Sequence, residues 1–206
     1  MKSKNLYLVL TSDCCGGRDP LHVAKEALKA GVDILQMREK NKSRPELLSF
    51  GKKLSHLCRE SGALFIVNDD PLLAAELEAD GVHLGQEDLL AFPLKETRSL
   101  LGRGKLIGLS THSAEQFKKA NKEDFDYLAF GPVFPTQTKE YFIGTNDLAE
   151  ILEIASKPVV VIGGITKSNV SGLTALKVQN IAMIRAISEE KNIAAAVRHF
   201  REVLCG

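Results

Sequence analysis

The 206-residue chain carries 26% charged and 44% hydrophobic residues, a balance that suits one soluble domain with a sizeable core. Its formal net charge of +1 argues against a broad electrostatic footprint for nucleic acid or an anionic membrane, so any cationic function must sit in a local pocket. The apolar runs at 6–10, behind Lys2 and Lys4, and at 159–165 are too short for a signal peptide or a membrane span.

Along the chain, short β-branched or Leu-rich runs alternate with segments of helical period. Strands are predicted at 6–10, 34–37, 64–67, 82–84, 106–109, 127–130, 159–162 and 181–184. Helices are predicted at 21–30, 45–60, 71–78, 114–120 and 192–204. Ser43 with Pro45, and Asp70 with Pro71, read as helix starts; Gly31 and Gly62 sit where left-handed helix ends belong. Eight such alternations in a compact length favour a closed (β/α)₈ TIM barrel, one α/β catalytic domain over 1–206, with right-handed crossovers. An open doubly wound sheet is disfavoured because no G-x-G-x-x-G turn follows the first strand.

Cys14, Cys15, Cys58 and Cys205 show neither C-x-x-C nor zinc spacing. They fit a reducing cytoplasm, and the adjacent Cys14 and Cys15 read as loop thiols. A homo-oligomer stays open on sequence grounds.

A barrel gathers its chemistry where strands end and loops lead into helices, and often binds phosphate after strands seven and eight. The polar residues of this chain recur there. Gln36, Arg38 and Lys40 are two apart, so alternation sends them to one face. Arg38 suits a bidentate grip on phosphate, Lys40 adds a point charge, and Gln36 offers a donor and an acceptor. A solvated basic strand end with Glu39 as internal partner is the bland alternative. Asn68 closes the third strand, with Asp69 next, and Asp88 follows the fourth. Two aspartates from neighbouring loops suit Mg²⁺, which takes few carboxylates and completes its octahedron with water and substrate phosphate. Either aspartate alone is more often a helix cap. Thr136 and Thr138, between Pro135 and Lys139, would present hydroxyls to an anion. Gly163 and Gly164 and the Ile184–Arg185 peptide could approach a phosphate closely, although a glycine pair also turns corners without function. His83 reads as packed or barrel-lining, and His112 as a residue of a catalytic-face loop able to move protons.

Six segments taken in order resemble the thiamine-phosphate synthase (thiamine-phosphate pyrophosphorylase) family over nearly the whole chain. They are 36–40 (QMREK), 68–70 (NDD), 79–88 (ADGVHLGQED), 108–110 (GLS), 131–139 (GPVFPTQTK) and 162–165 (IGGI). The resemblance implies a (β/α)₈ enzyme that joins 4-amino-2-methyl-5-hydroxymethylpyrimidine diphosphate to thiazole phosphate and releases diphosphate. It implies that Gln36, Met37, Arg38, Glu39, Lys40, Asn68, Ser110 and Lys139 hold the pyrimidine diphosphate, with Mg²⁺ on Asp69 and Asp88. It further implies that Thr136, Gln137, Thr138, Gly164, Ile184 and Arg185 meet the thiazole phosphate, and that Arg38, Lys40, Ser110 and Lys139 carry catalysis. A dissociative route of this kind needs positioning and charge stabilisation more than a strong base.

Three positions depart from the family pattern. Arg185 stands where the family has serine, residues 177–180 (KVQN) replace a Gly-Ala-Asp-Gly approach to the last strand, and the loop at 139–144 is short. The rival readings are a thiazole tautomerase of the same superfamily using His112, a non-catalytic thiamine-phosphate sensor, and another phosphate-binding barrel isomerase or aldolase. The tautomerase would have no use for two metal carboxylates.

Overall fold

The computed structural model describes residues 1–138 and 140–206. Eight parallel strands close into a barrel in chain order: β1 (Asn5–Leu10), β2 (Ile34–Met37), β3 (Leu64–Asn68), β4 (Gly81–Leu84), β5 (Leu106–Thr111), β6 (Tyr127–Phe130), β7 (Val159–Ile162) and β8 (Asn180–Met183). The β1–β8 pair, registered Asn5 to Asn180, completes the circle. The helices are α1 (Pro20–Ala30), α2 (Arg44–Ser61), α3 (Pro71–Glu76), α4 (Leu94–Leu101), α5 (Ala114–Ala120), α6 (Leu148–Ile154), α7 (Val170–Ala175), α8 (Arg185–Ser188) and α9 (Ile193–Cys205). Among the described residues no helix is long and apolar enough to cross a membrane.

All eight predicted strands form, and the local punctuation acts as its chemistry requires. The Glu46 carboxylate accepts from both the N–H and the hydroxyl of Ser43 at the start of α2, and Asp70 accepts from the Leu73 N–H at the start of α3. Gly31 and Gly62 end α1 and α2 in the left-handed region. The eighth strand stops one residue earlier than expected, at Met183, and Ile184 turns the chain into α8. The predicted helices omitted α4, α6, α7 and α8, which are short and lack a long apolar stripe.

Strand alternation divides the apolar residues into two layers. Leu6, Leu8, Leu35, Phe65, Val67, Ile107 and Val161 point outward and pack under the helices. Tyr7, Val9, Ile34, Ile66, Tyr127, Ala129, Val160 and Ala182 fill the barrel interior. The N-terminal end of the barrel is tied by charge rather than left open. Asp33, almost fully buried, accepts from the Leu6 N–H at 2.9 Å and pairs with Lys2 at 2.7 Å and with Arg201 of α9. Asn5 donates to Asn180 at 2.6 Å, stitching the closing pair of strands at the same end.

These contacts serve stability at the face opposite the loops that carry chemistry. Asp33→Ala strands the Leu6 N–H and two cations, so it is expected to lower unfolding free energy by about 3 kcal/mol. Urea denaturation checks this, and ligand affinity of the folded variant should be unchanged.

Candidate active site

A cavity of ≈ 840 Å³ opens at the C-terminal ends of the strands. Gln36, Arg38 and Lys40 line it together, as their spacing predicts. Met37, between them, faces the other way and is buried under the helices. Glu39 also turns aside: its carboxylate accepts from the Ser12 N–H and hydroxyl at 2.8 and 2.6 Å and lies 3.5 Å from Lys42. Glu39 is therefore not the partner of the basic pair. Among the described residues neither Arg38 nor Lys40 makes an ion pair, which leaves both cations for a ligand.

Next to them stand Asn68 and Asp69 at the end of β3. Asp69 adopts φ +64°, the left-handed region, with its N–H donated to the His83 carbonyl of β4 at 2.8 Å. Such a backbone costs a non-glycine residue about 1–2 kcal/mol and is held only because its surroundings dictate it. The turn aims the Asp69 carboxyl at Asp88, whose own carboxylate is held by the Gly85 N–H at 2.6 Å. Burial raises the Asp69 pKa, and the charge and hydrogen bond of Asp88 raise it further, to about 6; Lys40 and Arg38 oppose the rise. Two carboxylates thus crowd together with two cations near enough to act on Asp69. Among the described residues no group of three or more His, Cys, Asp or Glu side chains could cage a metal.

The opposite rim is built differently. Thr136, Gln137 and Thr138 line it, with the Thr138 N–H donated to the Thr136 hydroxyl at 3.3 Å. Gly163 and Gly164 follow β7 with φ +102° and +64°. A Cβ on either would meet the 132–135 segment, at 2.2 Å from Pro132 Cβ and 2.3 Å from the Pro135 carbonyl. Only glycine allows that approach. Among the described residues neither glycine N–H has an acceptor. Ile184 and Arg185 lie beside them. The Arg185 side chain is engaged: it donates to Glu189 at 3.1 Å and to the Thr138 hydroxyl at 3.2 Å, bridging α8 and the loop after β6. The expectation for Lys139 falls outside the described residues.

Ser110, at the end of β5, faces the cavity and is bonded from below by His83 Nε2 at 2.9 Å. His83 Nδ1 contacts the Tyr127 hydroxyl at 2.9 Å, which contacts that of Tyr7 at 3.1 Å, which receives the Gln36 amide at 2.7 Å. Sequence reasoning missed Tyr7 and Tyr127. The available signal was a tyrosine at an inward position of an apolar strand, since its buried hydroxyl must find a partner. His112 also lines the cavity, and its Nδ1 lies 2.6 Å from the Gly131 carbonyl, an acceptor that fixes the ring proton there.

The family profile described as thiamine monophosphate synthase matches residues 6–187. The chain belongs to that family. A thiamine-phosphate synthase from Persephonella marina is 36% identical over 202 residues, covering 97% of this chain and 95% of the relative. One from Shouchella clausii is 38% identical over 95% of this chain and 94% of its own length. The solved thiamine phosphate pyrophosphorylase from Pyrococcus furiosus superposes with a TM-score of 0.87 at 35% identity, over 98% of this chain and 96% of that one. Family membership thus agrees with the barrel.

The raised Asp69 pKa has a consequence for stability. Between the ordinary value of 3.8 and about 6 the folded protein keeps a proton that the unfolded chain has released, so stability falls as pH rises through that window. Asn at this position mimics the protonated form. In chelator, the stability of Asp69→Asn relative to the parent should therefore increase as pH rises through the window, measured by denaturant midpoints. A difference constant with pH would refute the crowding.

Proposed function

We propose that the cavity joins 4-amino-2-methyl-5-hydroxymethylpyrimidine diphosphate to a thiazole phosphate, giving thiamine monophosphate and diphosphate. The chain would then act as a thiamine-phosphate synthase, a transferase working on small molecules as a single catalytic domain over 1–206 in the cytoplasm. One observation carries the reading above the rest. A crowded carboxylate pair and two cations beside it share one rim, while a glycine-built corner of different make occupies the other.

The first rim suits a diphosphate with a divalent cation. Asp69 and Asp88 repel one another when both are ionised, a cost that a bound cation removes, and two carboxylates with substrate oxygens and water match the habit of Mg²⁺. Held by these two residues, Mg²⁺ would neutralise charge on the leaving diphosphate. Arg38 and Lys40 would grip the diphosphate oxygens and stabilise the negative charge that builds as the bond to the ring methylene lengthens. Lys139 is expected to join them. Asn68, Gln36 and Ser110 would place the aminopyrimidine.

At the other rim the N–H of Gly164, the Thr136 and Thr138 hydroxyls, Gln137 and the Ile184–Arg185 peptide would seat the thiazole phosphate. With both partners fixed, the thiazole nitrogen is brought to the methylene carbon, and the entropic part of the barrier falls. No strong base is required. Among the described residues the one cavity-lining imidazole outside the floor is His112, oriented through Nδ1 by the Gly131 carbonyl. A tautomerase would leave the carboxylate pair without a task.

Purified protein should release diphosphate from the two substrates only when Mg²⁺ is present, and Asp69→Ala or Asp88→Ala should abolish turnover. A diphosphate-release assay decides it, and normal activity of both variants in chelator would refute the proposal. Arg185→Ser should raise the thiazole phosphate KM by about 2–10-fold, the worth of a hydrogen bond or two, and leave the pyrimidine KM alone. Equal change in both constants would count against a role for Arg185 at the thiazole side.

A further inference from the structure

The floor of the cavity is a chain of four hydrogen bonds whose ends face the same space. Gln36 and Ser110 are those ends, and both line the cavity. Between them Tyr7, Tyr127 and His83 pass the bonding through the barrel interior at 2.7, 3.1, 2.9 and 2.9 Å. Tyr7 and His83 are also in the cavity wall, but Tyr127 is not. Strand register explains how it fits. His83 of β4 and Tyr127 of β6 both pair with Gly108 of β5, whose missing side chain lets the two rings stack across it at 5.5 Å. A Cβ at Gly108 would lie 2.1 Å from the Tyr127 ring.

Each interior member has one proton to give and one lone pair to offer along the chain. His83 qualifies only as a neutral ring, and burial, aided by the nearby His112, pushes its pKa down to about 4. Burial pushes both phenols up, so neither ionises near neutral pH. Only two arrangements then satisfy every link. In one, the Gln36 amide donates to Tyr7, Tyr7 to Tyr127, Tyr127 to His83 Nδ1 and His83 Nε2 to Ser110. Gln36 then offers its carbonyl to the cavity and Ser110 offers its O–H. In the other, Ser110 donates to His83 Nε2, the ring proton sits on Nδ1, and the phenols donate back to a turned Gln36 amide. Gln36 then offers N–H and Ser110 a lone pair. A mixed arrangement leaves two protons facing each other, or two lone pairs, in a buried site, and costs a full hydrogen bond.

We propose that Tyr7, Tyr127 and His83 form a relay that holds Gln36 and Ser110 at opposite hydrogen-bonding polarity, so that the site selects a heteroaromatic ring presenting a matched donor and acceptor. Tyr127 is a positioning residue in this scheme, since it lies off the cavity. The inference rests on the reading that the aminopyrimidine lies between Gln36 and Ser110. An amino group beside a ring nitrogen matches one setting of the relay; a methoxy group beside the same ring nitrogen presents two acceptors and matches neither. In the intact relay, a Gln36 turned to donate to the methoxy oxygen reverses every link, so that Ser110 sets a lone pair against the ring nitrogen. With the relay cut, Gln36 turns alone.

The test compares the 4-amino pyrimidine diphosphate with its 4-methoxy counterpart in the parent enzyme and in Tyr127→Phe, with melting curves to confirm folding. The parent should prefer the amino ring in kcat/KM. In Tyr127→Phe that preference should fall about tenfold, the worth of one mispaired hydrogen bond, while the thiazole phosphate KM stays put. A folded variant with undiminished preference overturns the relay. Should Tyr127→Phe fail to fold, ¹⁵N-histidine spectra of the parent give the answer: saturating substrate analogue should drive His83 to a single tautomer. A tautomer ratio indifferent to ligand overturns the proposal. Gln36→Ala and Ser110→Ala separate the two levels. If neither alters the pyrimidine KM, the placement of the ring is wrong and the relay falls with it; if both do and Tyr127→Phe does not, the relay alone is wrong.

Discussion

Closure of the barrel by the parallel β1–β8 pair is the constraint on which the remainder depends. With eight parallel strands hydrogen-bonded around a circle, every strand end points to one rim, and residues far apart in the chain become neighbours. Gln36, Asn68, Ser110, Gly163 and Ile184 come from five different strand ends, yet all border one cavity. The opposite rim is fastened by Asp33, Asn5 and Asn180, so the end that carries chemistry is free to be polar and open. Loops can differ widely on such a scaffold without moving the positions at which they start.

Alternation within strands sorts the same few residues into separate jobs. At the end of β2, Gln36 enters the interior, Met37 packs under helices, and Arg38 and Lys40 reach the cavity beyond the strand. Glu39, adjacent to both cations in sequence, is drawn off by Ser12. The outcome is a basic pair that faces the cavity beside Asp69. Beside it the left-handed turn at Asp69 sets one carboxyl against another, an arrangement that is unfavourable by itself and becomes favourable when a cation is shared.

The interior is neither purely apolar nor a random set of polar exceptions. Tyr7, Tyr127 and His83 are buried among Val9, Ile34, Ile66 and Ala129, and each polar atom is used in a bond that leads toward the cavity floor. Buried polar chains of this kind are costly when broken and rigid when whole. Here that rigidity falls on Gln36 and Ser110, the two ends of the chain that face the cavity.

The sequence alone determined the eight-fold alternation, the helix starts at Ser43 and Asp70, and the rim positions of Gln36, Arg38, Lys40, Asn68, Asp69 and the Gly163–Gly164 pair. Those features are local: periodicity, turn chemistry and strand-end position are written within a few residues of one another. What only the tertiary structure decided was partnership. That Glu39 would leave the basic pair for Ser12, that Arg185 would bridge Glu189 and Thr138, and that Tyr7 and Tyr127 would meet across the barrel depend on strand register and closure. Register is set by the sum of packing around the whole circle, so no single segment of sequence encodes it.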